Sequence, residues 1–193
     1  RVNEEANLNI QLVLDEPRAF TGFKARLVNF ANVRNYLALV GPECKELDGI
    51  VGYYGEQLVL LAQSLGLNSC WVGGTYKVVN RAYNVDLGQK LAAVVALGYG
   101  TTQGVPHRSK ARQEVAPGYD GAPEWFKRGV DAALLAPTAL NQQKFSFSLD
   151  GEENDVPVVR ASTKRGAFTQ MDLGIAQCHF EIGAGNALYR WAE

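Results

Sequence analysis

Two continuous apolar runs, each closed by glycine, set the terms on which this chain can fold. Tyr36-Leu37-Ala38-Leu39-Val40 ends at Gly41-Pro42, and Leu91 to Leu97 ends at Gly98-Tyr99-Gly100. Runs of that length without polar alternation read as buried strands. Between them, Val51, Tyr54, Leu58, Leu61 and Leu65 recur at i, i+3, i+4 spacing, while Val59, Leu60 and Ala62 make the other faces apolar. A helix that is apolar nearly all round is itself buried, and Gly66 caps its C-terminus. Cys70-Trp71-Val72-Gly73-Gly74 follows, and its two glycines let backbone come close to something.

The flanking segments carry weaker signals. Leu8 to Leu14 begins by alternating and stops at Asp15-Glu16-Pro17, a strand ended by a proline turn. Phe20 to Phe30 is mixed and reads as a short helix. Thr101 to Gly121 is polar, rich in Gly and Pro, and is the best boundary between two halves. A second helix begins near Pro123 with Phe126, Val130, Ala133 and Leu134 as its stripe, interrupted by Pro137. Phe145 to Leu149 alternates strictly, as a half-buried strand does, and Val156 to Val159 reads as another strand. Met171, Ile175, Cys178 and Ile182 mark a last helix, which Gly183 and Gly185 are expected to end. The helical stretches bounded by Gly55 and Gly66 and by Gly174 and Gly185 echo one another, and each opens near an acidic residue, Asp48 or Asp172.

Composition excludes several classes. The chain has 193 residues, which favours one compact domain, and 47% hydrophobic with 20% charged residues is an ordinary globular mix. With Lys+Arg 19 against Asp+Glu 20, no global basic field draws in nucleic acid. The longest nearly uncharged run, Val51 to Tyr76, is broken by Gly, Asn, Ser, Gln and Glu56 and does not read as a membrane span. Cys44, Cys70 and Cys178 are far apart without a C-x-x-C, so neither a disulfide scaffold nor structural zinc is expected. The reducing cytoplasm is the simplest compartment. No signal peptide is visible after Arg1.

No familiar catalytic constellation emerges. His107 and His179 are the only histidines, and neither lies at metal-ligand spacing from a partner. Ser69 and Ser109 lack a G-x-S-x-G context, Cys70 beside Trp71 reads as a small core residue, and neither a G-x-G-x-x-G nor a Walker loop is present. Two segments remain. In Ala136-Pro137-Thr138-Ala139-Leu140-Asn141-Gln142-Gln143, amide and hydroxyl side chains crowd together after a proline. Such a group can read the edge of a planar heterocycle that mixes C=O and N–H, or it can simply cap a helix end. In His107-Arg108-Ser109-Lys110, the two cations can hold one phosphate, or the run can be solvated surface.

Taken together, these segments resemble the nitroreductase family of flavoproteins. Leu65-Gly66-Leu67-Asn68-Ser69-Cys70-Trp71-Val72-Gly73-Gly74 is similar to the family's "GLGTCWIGG" turn. Leu97-Gly98-Tyr99-Gly100 followed by His107-Arg108-Ser109-Lys110 is similar to its "LGYP" strand end and "RK". Leu135 to Phe145 is similar to "APSxxNxQPW". The order is reversed relative to common members, where the last block comes first. The chain thus resembles a subgroup built as two half-domains in tandem, a pseudo-dimer in one polypeptide, here 1–112 and a degenerate 113–193.

The resemblance implies an α+β fold with a central, mostly antiparallel sheet flanked by helices, and FMN bound between the halves. It places Arg108 and Lys110 on the FMN phosphate, Pro137, Thr138, Asn141 and Gln143 at the isoalloxazine ring or ribityl chain, and the Gly73-Gly74 turn near N5. It implies hydride transfer from NAD(P)H to a small-molecule acceptor such as a nitroaromatic or quinone, with the flavin rather than a catalytic side chain doing the chemistry. A monomer or weak homodimer is expected, without nucleic-acid or membrane partners. The alternative is a non-catalytic protein that keeps the fold and a degenerate pocket. Two departures stand out. The family's "RRSxR" start is absent, with only Arg1 where such a segment would end, and Lys144 and Phe145 replace the proline and tryptophan of "QPW".

Overall fold

The computed structural model describes residues 1–23, 25, 28 and 30–192. Much of the short helix expected over 20–30 lies outside the described residues. The chain divides into two compact units, Arg1–Val105 and Pro106–Glu193. The division falls inside the polar 101–121 stretch, so the basic 107–110 segment belongs to the second unit.

In the first unit, helix α1 (Val2–Ala6) is followed by strand β1 (Gln11–Val13), a 3-10 turn at Pro17–Phe20, β2 (Asn35–Pro42), helix α2 (Leu47–Ser64), β3 (Asn68–Val72) and β4 (Gln89–Gly98). The sheet order is β1-β2-β4-β3, and every neighbouring pair is antiparallel. The two apolar runs become the adjacent central strands β2 and β4, with Leu37 opposite Val95 and Ala38 opposite Val94. Burying both strands leaves no solvated face for polar alternation, which explains their continuous hydrophobicity. Strand β1 is shorter than the alternation over 8–14 suggests. The Asn3 side chain bonds both backbone groups of Ile10, at 2.9 and 3.0 Å, and holds that residue outside the ladder. Leu12 and Leu14 are exposed.

Helix α2 starts four residues before Val51, and the added turn brings in Asp48, whose charge suits a helix N-terminus. A Cβ on Gly55 would sit 2.6 Å from Trp71 Cη2, so glycine here makes room for the indole. Trp71 in turn donates its indole N–H to Glu56 Oε2 at 2.8 Å, and Glu56 is only 1% exposed. Removing that acceptor leaves a desolvated N–H behind, so Glu56→Ala is expected to cost about 2 kcal/mol, read as a lower urea midpoint. An unchanged midpoint would show that the indole finds water instead.

The second unit contains α3 (Arg112–Val115), a 3-10 turn at Tyr119–Gly121, α4 (Glu124–Ala133), a 3-10 turn at Ala139–Asn141, β5 (Phe145–Glu153), β6 (Val156–Thr163), α5 (Thr169–Ala184) and β7 (Arg190–Trp191). Strands β5 and β6 form an antiparallel hairpin closed by Asn154 and Asp155, both at positive φ, the conformation that two-residue hairpin loops favour. Strand β7 joins β6 in parallel. The alternation of β5 turns Phe145 and Phe147 inward. Phe147 stacks on Phe180 of α5 at 4.7 Å, and Phe180 meets Trp191 at 5.4 Å.

Gly183 does not end the last helix. Helix α5 continues to Ala184, and Gly185, at φ 66°, is its C-cap. Gly183 instead lies where α5 meets α4: a Cβ there would be 2.4 Å from the Arg128 carbonyl oxygen. The sequence echo has a structural counterpart. In each unit an antiparallel strand pair leads into a long buried helix and then a strand. The tryptophan on that strand donates to a glutamate of the helix: Trp71 to Glu56, and Trp191 to Glu181 at 2.8 Å.

Candidate functional site

The two polar segments, some thirty residues apart in sequence, come together in the second unit. Segment 107–110 has no regular secondary structure and is held at the C-terminal end of α4. His107 Nε2 lies 2.9 Å from the Leu134 carbonyl oxygen, and Ser109 Oγ donates to the same oxygen at 3.3 Å. A carbonyl only accepts, so this contact puts the His107 proton on Nε2. The loop over 136–143 leaves the same helix end. Ala136 is buried, Pro137 is exposed, and Leu140, Asn141 and Gln143 take φ of 53°, 53° and 42°. Left-handed backbone at a residue with a side chain costs roughly 1–2 kcal/mol. Several such residues persist in one turn only where the surroundings hold them, and such strain concentrates at functional sites.

Three sets of bonds hold this turn. Gln143, 2% exposed, accepts the Lys110 backbone N–H on Oε1 at 2.9 Å and donates from Nε2 to the Arg108 carbonyl at 2.8 Å and to Asn141 Oδ1 at 2.7 Å. Asn141 Nδ2 donates to the same Arg108 carbonyl at 2.9 Å, and Lys110 Nζ donates to the Gln143 carbonyl at 2.7 Å. Within the loop, the Gln143 backbone N–H donates to Thr138 Oγ1 at 3.1 Å. From α5, Asp172 accepts the Ala139 N–H at 2.9 Å and Gln142 Nε2 at 2.7 Å. Burial pushes the Asp172 carboxyl up, against the opposing pull of the Ala139 N–H, the Gln142 amide and Lys144.

These bonds decide which groups remain for a ligand. Both N–H groups of Gln143 are engaged and its side chain is buried, so in this structure it braces the segment. Asn141 is exposed and keeps one N–H and one lone pair. Among the described residues, the exposed Arg108 guanidinium has no hydrogen bond or ion pair, although its backbone is tied by two amides. Lys110 spends one of its three donors on Gln143. A fixed backbone carrying an unpaired guanidinium and, two residues on, an ammonium suits a phosphate dianion. Leu140 is fully exposed, an apolar surface next to those polar groups.

Sequence reasoning singled out Arg108, Lys110, Thr138, Asn141 and Gln143, and the structure gathers them. In the sequence Asp172 reads only as the acid that opens a helix, because nothing local points to Ala139 and Gln142. In the first unit, Gly73 is half-buried and Gly74 exposed, in a bend after β3. Neither takes positive φ, so what glycine supplies there is a missing side chain. Cys70, expected in the core, is exposed on β3, which lies at the edge of the sheet. Among the described residues no cluster of His, Cys, Asp and Glu could hold a metal ion, and no helix is long and apolar enough to cross a membrane.

A family model described as "Putative TM nitroreductase" matches residues 1–184. A crystal structure titled as a putative nitroreductase from Thermotoga maritima MSB8 superposes with a TM-score of 0.63 at 19% identity, over 95% of this chain and 73% of that one. No curated protein matches the chain. The superposition gives the fold: α+β, with antiparallel sheets flanked by helices. The family model, running through both units, gives the kinship: the chain belongs to the putative TM nitroreductase family.

Proposed function

We propose that this nitroreductase-like oxidoreductase binds FMN and carries hydride from NAD(P)H to an electron-poor small molecule, a nitroaromatic or a quinone. The observation that carries the reading is the braced pair Arg108 and Lys110. Its backbone is fixed by Gln143 and Asn141, while the Arg108 guanidinium is left unpaired. FMN, when bound, supplies the two-electron hydride chemistry. In this reading the protein binds and orients. Arg108 and Lys110 take the phosphate, and the spare N–H and lone pair of Asn141 read the pyrimidine edge. Pro137 and Thr138 shape the wall beside it, and Gln143 holds these parts in register.

The test is the visible absorption spectrum of the purified chain with and without added FMN. A yellow protein that NADPH bleaches supports the proposal, and a colourless chain with no affinity for FMN ends it. Bleaching with no turnover of menadione would leave a flavin-binding protein without the reductase activity. Arg108→Ala deletes a charge-assisted contact worth about 2 kcal/mol and is expected to weaken FMN binding roughly thirty-fold by fluorescence titration. Wild-type affinity in that variant would remove Arg108 from the phosphate site.

A further inference from the structure

The 138–143 turn is held from two sides, by segment 108–110 and by α5. Gln143 ties it to 108–110. The other tie comes from the first turn of α5, where Asp172 engages Ala139 and Gln142 with its two oxygens. Gln142 is fixed further by donating to the Ala167 carbonyl at 2.9 Å. Asp172 is 4% exposed. Burying a carboxylate is unfavourable unless it is hydrogen-bonded, and Ala139 and Gln142, which donate to this one, both lie in the turn. Between them sit Leu140 and Asn141, both in left-handed backbone.

We propose that Asp172 is a positioning residue for the cofactor, holding the strained 139–142 turn so that Asn141 presents its free amide atoms at a fixed place; this rests on the FMN reading. Asp172 touches no ligand and acts through the loop. Two oxygens meet two donors, so a carboxylate fits where a carboxamide does not. In Asp172→Asn, one oxygen still accepts from Ala139, but the amide nitrogen faces the Gln142 nitrogen. Flipping Gln142 would cure that contact while turning its oxygen toward the Ala167 carbonyl. Asp172→Ala removes both acceptors.

The test uses the full chain and three measurements on each variant: amide exchange at Ala139, the dissociation constant for FMN, and the melting temperature. Ala139 exchange is expected to rise by at least about tenfold in Asp172→Ala and by less in Asp172→Asn, since a hydrogen bond to a charged group exceeds one to a neutral group. FMN affinity should fall in the same order, about thirty-fold and about fivefold. The melting temperature of Asp172→Asn should stay near wild type, because the lost tie is offset by relief of a buried charge. A folded Asp172→Ala variant whose Ala139 amide is as protected as in wild type, or which binds FMN as tightly, overturns the inference. If the wild-type chain itself fails to bind FMN, the flavin reading falls. Ala139 exchange then still decides whether Asp172 holds the turn.

Discussion

Replacing Gln143 with alanine is expected to lower FMN affinity by at least about a hundredfold and to destabilise the protein by about 3 kcal/mol. Among the described residues no other side chain ties together so much of this turn. Its amide serves the Lys110 N–H, the Arg108 carbonyl and Asn141 Oδ1, and its backbone serves Thr138 and the Lys110 ammonium. In the alanine variant the Lys110 N–H loses its acceptor and Asn141 Oδ1 its donor. Left unsatisfied where water cannot reach it, that N–H costs about 1–3 kcal/mol, whereas the oxygen of the exposed Asn141 turns to water. The Arg108 carbonyl keeps Asn141 Nδ2, but that amide is then free to turn. Segment 107–110 stays fixed only where His107 and Ser109 reach Leu134, and the two cations lose their common frame. Gln143→Glu separates bonding from bulk: it fills the space and can accept from Lys110, yet cannot donate to Arg108 or Asn141. It is expected to bind FMN as poorly as the alanine variant. Fluorescence titration with FMN and urea unfolding give the two numbers. A Gln143→Ala protein that binds within about threefold of wild type would mean that Gln143 does not organise the site.

What was legible in the sequence follows from what is local. The runs 36–40 and 91–97 lie within β2 and β4, and the helical spacing over 51–65 lies almost wholly within α2. The alternation at 145–149 places Phe145 and Phe147 inside. Each of these signals depends on how one segment meets the core, and its own periodicity records that. The order β1-β2-β4-β3 leaves no such trace, because which strand lies beside which depends on the whole unit. The site shows the same division. Composition pointed to 107–110 and 136–143 as polar segments with ligand chemistry, and they do meet. The direction in which each amide points was not readable. Asn141 and Gln143 carry the same functional group two positions apart, yet one is exposed and the other buried among backbone groups 33 and 35 residues away in sequence. A donor and acceptor inventory does not say which partner fills it. Gly183 shows the limit from the other side. Read along the chain, a glycine near a helix end is a stop signal, and only the neighbouring helix reveals it as a point of close approach.

Gly183→Ala is the second substitution with a large expected effect, and here two physical terms of opposite sign compete. Within a helix, alanine is favoured over glycine by about 1 kcal/mol, so an isolated α5 would gain. Against α4 it loses. The new Cβ would stand 2.4 Å from the Arg128 carbonyl oxygen and 2.5 Å from Ala132 Cβ. The first of these is backbone inside a helix and cannot swing aside as a side-chain tip can. Gly129 limits the alternative of sliding, since a Cβ there would lie 2.8 Å from the Phe180 ring. That ring is itself stacked on Phe147. Overpacking of this kind typically costs about 1–3 kcal/mol, and occasionally more. With backbone on one side and an aromatic stack on the other, the upper part of the range should win, leaving a net loss of about 2 kcal/mol after the propensity gain. Thermal unfolding should show an apparent melting temperature roughly 4–8 °C lower. The site should register the same displacement. Leu134, which anchors His107 and Ser109, ends α4, while Asp172, which anchors Ala139 and Gln142, belongs to α5. Forcing the helices apart therefore pulls on the 138–143 turn from both ends, and under the proposed FMN reading the affinity for FMN should fall together with the melting temperature. A Gly183→Ala protein that melts at or above the wild-type temperature would show that the helices part freely, and the rigidity assigned to the loop's two anchors would go with it.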